Sequence, residues 1–336
     1  MFGRANRRKF FQSTTAGAIS AAAFGSALTP HWAWAQSSDG YPSRVIRVVV
    51  PFTPGGGTDV VGRALMEALS RELGQAIIVD NKPGGGTVIG SDLVAKAPAD
   101  GYTLLLTTSA LAINDSLVPK LPYKTARDIT EVGLICTGPN VFVVRPDSPY
   151  RSVADLIQAA KARPGRLTYG SSGNGSSVHL AAELFKLMAQ VDITHVPYRG
   201  AGPAYTDLMG GQIDFVVGTA GGVAKLVEAG KMRAIAVTSE KRTAAYKDIP
   251  TVAETLPGYA ADVWYGIFAP AGTPPDVIAK LNAALAKAAN APAYKQRLSN
   301  EGLTVAVNSP AEMTRFMRAE EARWRKVVVE GKVSVD

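Results

Sequence analysis

Two stretches of the chain carry the same five residues, Pro-Gly-Gly-Gly-Thr, at 54–58 and again at 83–87. Each follows an apolar run and precedes an amphipathic one, so each is a glycine-rich elbow from strand to helix. Glycine admits positive φ and lets a backbone approach a ligand closely. A helix start leaves N–H groups without partners and carries a partial positive charge. Together these make a seat for an anion. Two further elbows, Ser-Ser-Gly-Asn-Gly-Ser-Ser at 171–177 and Gly-Ala-Gly at 200–202, have a similar composition. In a parallel α/β sheet all four fall at the carboxyl ends of the strands, where ligands bind. One helix start contributes about 0.3–1 kcal/mol when exposed and up to about 2 when partly buried. The chemistry predicted is therefore recognition of a small anion by several starts at once. The plainer reading of any single elbow is a tight turn in which Thr58, Thr87 or Ser176 caps a helix.

Side chains suited to covalent, metal or nucleotide chemistry are sparse. The chain has no G-x-S-x-G and no G-x-x-x-x-G-K-[ST], and neither PGGGT extends to G-x-G-x-x-G, because Val60 or Ile89 stands at the last glycine. Beyond the first 35 residues the histidines are His179 and His195, and neither has metal-ligand spacing. No catalytic residue, metal or cofactor is expected. His179 is read as packed and hydrogen-bonded, with a place facing the cleft as the alternative. His195 alternates with Ile193 and Pro197 and reads as structural. Asp59 suits the first turn of a helix. Asp214, beside a run of hydrophobes, is open to meeting a ligand donor. Arg199 follows Tyr198 at an elbow and is the best side-chain cation for a distal carboxylate, an exposed loop arginine being the alternative. Cys136 lies in Val-Gly-Leu-Ile-Cys-Thr-Gly and reads as a small buried hydrophobe.

The elements that must position the elbows follow from periodicity. A strand at 45–50 precedes a helix at 60–73 whose Val61, Leu65, Leu69 and Leu73 share one face, with Gly74 at its end. A strand at 76–79, a helix at 88–97 stopped by Pro98 and a strand at 102–107 complete a β-α-β-α-β block. A second block opens with the apolar run 132–145, and Ser152 caps a helix over 153–162. Strands at 167–171, 193–197, 213–217 and 234–238 then alternate with helices, and Gly-Thr-Ala-Gly-Gly at 218–222 opens one of these. A third block holds a strand near 263–269, a helix entered through Pro274-Pro275-Asp276 and a short strand at 303–307. Its last helix is opened by Ser309 and Glu312 in capping-box spacing. Continuous apolar strands imply sheets covered on both faces. The expected fold class is α/β with two lobes, each a mostly parallel sheet flanked by helices. The runs at 132–145 and 263–269 are the expected crossings, giving lobe I as 41–138 plus 264–336 and lobe II as 139–263.

The N-terminus reads differently from the body. Arg7 and Arg8 precede Phe10 and Phe11, an Ala/Gly-rich stretch follows, and Ala33-Trp34-Ala35 ends it. This predicts a cleaved export signal over 1–35 of the twin-arginine type. The 336-residue chain carries 36 basic and 28 acidic side chains, and the signal accounts for four of the basic ones. The remaining excess is mild and unclustered, which argues against nucleic acid as a partner. A single cysteine excludes an internal disulfide, so an exported body is held by its core.

Seven stretches in order, PFTPGGGTD (51–59), NKPGGGTVIGSDLVAKAPADGYTLL (81–105), YGSSGNGSSVHLAAELF (169–185), VPYRGAGPA (196–204), GQIDFVV (211–217), PTVAETLPGY (250–259) and WYGIFAPAGTP (264–274), resemble the Bug-type extracytoplasmic solute receptors of tripartite tricarboxylate transporters. The resemblance implies a two-lobed, Venus-flytrap, type II-like periplasmic receptor, acting as a monomer, that binds a small carboxylate or dicarboxylate and serves membrane transporter subunits. It implies one carboxylate near Phe52, Thr53, Gly55 and Gly56 and the second elbow, Gly84, Gly85, Gly86 and Thr87. The other end is expected at Ser171, Ser172, Gly173, Ser176 and Ser177, with Tyr198, Arg199, Gly200, Ala201 and Asp214 helping to close the pocket. Family members often carry further small residues around 85–88 and a lysine where Arg199 stands. A periplasmic sensor for a signalling partner and an exported enzyme are the alternative readings.

Overall fold

Alternation of apolar strands with helices that begin at glycine-rich turns sets the architecture. The computed structural model describes residues 40–334; the expected signal at 1–35 lies outside them. The chain runs β1 (Ile46–Val50), α1 (Gly57–Leu73), β2 (Ile77–Asn81), α2 (Val88–Ala95), β3 (Thr103–Thr108), α3 (Ala110–Leu117) and the one-turn α4 (Thr125–Asp128). The long apolar run divides at Pro139 into β4 (Ile129–Gly138) and β5 (Asn140–Val144). Next come α5 (Val153–Ala162), β6 (Thr168–Ser171), α6 (Ser177–Ala189), β7 (Thr194–Pro197), α7 (Ala201–Met209), β8 (Phe215–Thr219), α8 (Ala220–Glu228) and β9 (Arg233–Val237). The last part is β10 (Val263–Pro270), α9 (Pro275–Asn290), α10 (Pro292–Asn300), β11 (Thr304–Val305) and α11 (Pro310–Glu330).

These strands form two sheets, ordered β11-β4-β10-β3-β1-β2 and β7-β6-β8-β5-β9, the cores of two lobes. Where the sequence suggests mostly parallel sheets, both are mixed. β1 is parallel to β2 and β3, whereas β10 is antiparallel to β3 and β4. In the second sheet β6 is parallel to β7 and β8, whereas β5 is antiparallel to β8 and β9. A continuous apolar run reports that both faces are covered; it says nothing of direction. The parallel half of each sheet is the half that carries the elbows.

Packing follows the predicted faces. Val61, Leu65 and Leu69 of α1 are buried in one cluster with Val48, Val50, Leu104 and Leu106. In the second lobe Phe215 lies between the rings of Phe142 and Tyr169, at 5.8 and 5.7 Å between centroids. Each such side chain contributes about 1.5–3 kcal/mol by burial. Helix α11 packs against α3 and β4 of the first lobe and against α6 of the second. Glu320 on α11 accepts from the indole N–H of both Trp264 and Trp324, each at 2.8 Å. Local signals are met as well: Ser152 with Asp155 and Ser309 with Glu312 form capping boxes, Gly74 ends α1 at φ 65°, and Cys136 is buried.

Candidate functional site

The first elbow is held open by its own helix. Asp59, buried in the first turn of α1, accepts from the Gly55 N–H at 2.9 Å, from Asn81 Nδ2 at 2.9 Å and from Arg63 Nε at 3.0 Å. Burial pushes its carboxyl up, but Arg63, the Gly55 N–H and Asn81 outweigh that and hold it below the usual carboxylate range. Gly55 is thereby part of the scaffold. The N–H groups of Gly57 and Thr58, in the first turn, are left for something else.

The second elbow is built on an unusual backbone. Gly84, Gly85 and Gly86 have φ of 130°, 56° and 61°, and Thr87, which follows, has φ 81°. A threonine there costs of order 1–3 kcal/mol unless its surroundings fix it. Asn114, at the middle of α3, supplies the restraint: its Nδ2 donates to Gly86 O at 3.1 Å and to Thr87 Oγ1 at 3.0 Å.

In the second lobe the elbows after β6 and β7 are strapped together. Gly200 N donates to Ser172 O and Tyr198 N to Ser171 O, each at 3.2 Å. Ser176 caps α6 by accepting from His179 N, and its hydroxyl donates to Gly173 O at 2.7 Å. Beneath this loop His179 and His195 are stacked at 4.1 Å between ring centroids. His179 Nδ1 accepts from Gly175 N at 3.1 Å, and His195 Nε2 meets Ser171 Oγ at 2.7 Å. Both rings support the loop from below, as packed residues.

Burial, with the Lys186 cation adding to it, lowers His195 from the usual histidine value of 6.5 to about 4. His179 is lowered too, by burial first and then by His195 and Lys186. The unfolded chain therefore binds protons that the folded one refuses. Stability is fully present above the usual value of 6.5 and is lost as pH falls toward about 4. Thermal melts across that window are expected to show a falling Tm, with a shallower fall in His195→Gln; equal slopes in the two proteins would refute the assignment.

The elbows meet in a cleft whose two sides touch. A Cβ placed on Gly57 would lie 2.7 Å from Thr219 Oγ1, one on Gly86 2.5 Å from Asn174 O, and one on Gly200 2.5 Å from Thr53 Oγ1. Each pair joins one lobe to the other. A small inner cavity of about 40 Å³ lies there, lined by Phe52, Thr53, Gly56, Gly57 and Thr58 from the first elbow and by Ser172, Ser176, Ser177, Gly200 and Ala201 from the second lobe. Thr108, Tyr205 and Thr219 line it too, and among the described residues no Asp, Glu, Lys, Arg or His does. Four helices, α1, α6, α7 and α8, start at or beside this wall. An outer cavity of about 800 Å³ takes in Gly84, Gly85, Gly86, Thr87, Gly173, Tyr198, Arg199 and Asn114.

Of the residues singled out from sequence, three stand apart from both cavities. Gly55 binds Asp59 instead. Ser171 is fully buried on His195. Asp214 is corrected outright: it precedes β8, at the amino end of the strands and away from the elbows. Its carboxylate accepts from Thr168 N at 2.8 Å and Thr168 Oγ1 at 3.0 Å, joining β6 to β8. Sequence reasoning missed Thr219, Tyr205 and Asn114. The Gly-Thr-Ala-Gly-Gly turn is a visible signal for Thr219, being one more glycine-rich elbow. Asn114 has no local signal, because its partners lie 27 and 28 residues away.

The family model described as the tripartite tricarboxylate transporter family receptor matches residues 61–332. Protein BugT from Bordetella pertussis is 39% identical over 297 residues, covering 88% of this chain and 91% of BugT. Rpa4515 of R. palustris, solved with adipate, has a TM-score of 0.84 at 38% identity, covering 88% of this chain and 99% of that one. MatC (Rpa3494) from Rhodopseudomonas palustris, solved with bound malate, has a TM-score of 0.80 at 32% identity, covering 86% and 100%. The matched region begins inside α1 and ends just past α11, taking in every strand of both sheets except β1. The chain therefore belongs to the tripartite tricarboxylate transporter receptor family, among its Bug-type members.

Proposed function

We propose that the protein is a periplasmic receptor that closes on a small carboxylate or dicarboxylate and delivers it to a tripartite membrane transporter, doing no chemistry itself. The observation that carries this reading is the inner cavity ringed by helix starts from both lobes and lined by no charged side chain among the described residues. In such a place an anion is met by backbone N–H groups and hydroxyls: those of Gly57 and Thr58 on one side, and of Ser177, Ala201 and Thr219 on the other. A ligand that touches both lobes gains all of these contacts only when they are together, so it shifts an open–closed equilibrium. Adipate and malate in the two solved relatives support the ligand class. The basic, then apolar, then small-residue N-terminus supports export. In this reading residues 41–138 with 264–336 move as one body against 139–263, and the receptor works as a monomer.

The test is a thermal-shift panel of monocarboxylates, dicarboxylates from succinate to suberate, aromatic acids, tricarboxylates and amino acids. At least one acid is expected to raise Tm, with about 2.7 kcal/mol of added stability at one hundred times its Kd. No shift with any acid would remove the reading.

A further inference from the structure

The two cavities between the lobes share Phe52, Thr53, Ser172, Ser176 and Gly200, so they adjoin. Thr53 and Gly200, which come from opposite lobes, stand in contact there: a Cβ on Gly200 would lie 2.5 Å from Thr53 Oγ1. Their chemistry differs. The inner cavity has no charged side chain in its lining, whereas Arg199 is the one charged residue lining the outer cavity among the described residues. Arg199 is exposed and takes part in none of the ion pairs found among them. The backbone on either side of it is pinned, by Tyr198 N to Ser171 O and by Gly200 N to Ser172 O. The Tyr198 ring is tied to α7 through Asp207 at 2.6 Å. The root of the guanidinium is therefore fixed at the mouth of the cleft.

We infer that Arg199 binds the far end of the ligand, and that the preferred ligand is an extended dicarboxylate with one acid group in the inner cavity and the other in the outer. This rests on the carboxylate-receptor reading above. A short diacid held wholly inside places a second carboxylate where there is no cation. Burying that charge is costly, and the two like charges repel at short range. A monoacid with an apolar tail leaves Arg199 paired only with water. A longer chain reaches from the inner cavity into the outer one and brings its second carboxylate to a planar fork of donors suited to bidentate pairing.

The experiment is calorimetric titration of the purified protein, Arg199→Gln and Arg199→Lys with matched pairs: butyrate and succinate, hexanoate and adipate, octanoate and suberate. The diacid advantage over its partner is expected to grow with length. Arg199→Gln is expected to weaken adipate and suberate by about 10-fold while leaving the monoacids unchanged, with Arg199→Lys retaining part of the advantage. Three results overturn the inference while leaving the receptor reading intact: equal weakening of monoacids and diacids, unchanged binding of the long diacids, or succinate binding as tightly as the longer chains. Wild-type protein that binds none of the six acids also overturns the inference, and silence across the whole thermal panel removes the receptor reading with it.

Discussion

Gly57→Ala is expected to bind ligand about 10- to 100-fold more weakly while melting, without ligand, close to the parent temperature. Gly57 is the first residue of α1, and the cap before it, Gly56, is extended at φ −74°. Alanine suits a helical position better than glycine by about 0.5–1 kcal/mol, so the first lobe alone tolerates the change. The closed molecule does not: the new methyl carbon stands 2.7 Å from Thr219 Oγ1 and 3.6 Å from the Tyr265 hydroxyl. Forcing a methyl group into a packed contact costs about 1–3 kcal/mol, and here that cost falls on closure alone. The double variant with Thr219→Ala removes the nearer atom and is expected to recover part of the affinity, the single Thr219→Ala completing the cycle. Unchanged affinity in Gly57→Ala would mean that ligand binds without bringing these two surfaces together.

Glu320→Ala is expected to lower stability by about 3 kcal/mol, or Tm by about 6–12 °C. One carboxylate oxygen takes the indole protons of Trp264 at the start of β10 and Trp324 on α11, and both rings are buried. Its other oxygen meets Arg323 Nη1 at 3.3 Å. Removing the acceptor strands two buried donors, each costing about 1–3 kcal/mol, less whatever water can enter to replace it. Glu320→Gln keeps an acceptor of the same shape and is expected to lose much less. An alanine variant that melts within a degree of the parent would show that the indoles find other partners.

The elbows were legible because their signals are local. Glycine between an apolar run and an amphipathic one fixes both the turn and the helix start, and Ser152, Ser309 and Gly74 mark helix ends within a few residues of themselves. Strand direction was less legible: β10 reads as any buried strand, and only its partners β3 and β4 decide that it runs antiparallel. Asp214 misled for a related reason. A polar residue beside an apolar strand can stand at either end of the sheet, and the register that places it beside Thr168 is a pairing 46 residues apart. The contacts that press one lobe on the other, Gly86 against Asn174 and Gly200 against Thr53, require both lobes to exist before they mean anything. Glycine at those positions reads as a turn residue until the opposite wall is in place.

The uncharged lining of the inner cavity has a consequence for emptying it. A pocket that neutralises an anion with a buried lysine or arginine leaves that cation stranded once the anion goes, and a stranded buried charge must draw in water or another ion. In the proposed reading the departing anion leaves behind amide and hydroxyl dipoles, which water satisfies one hydrogen bond at a time. Loading and discharge then carry little electrostatic hysteresis.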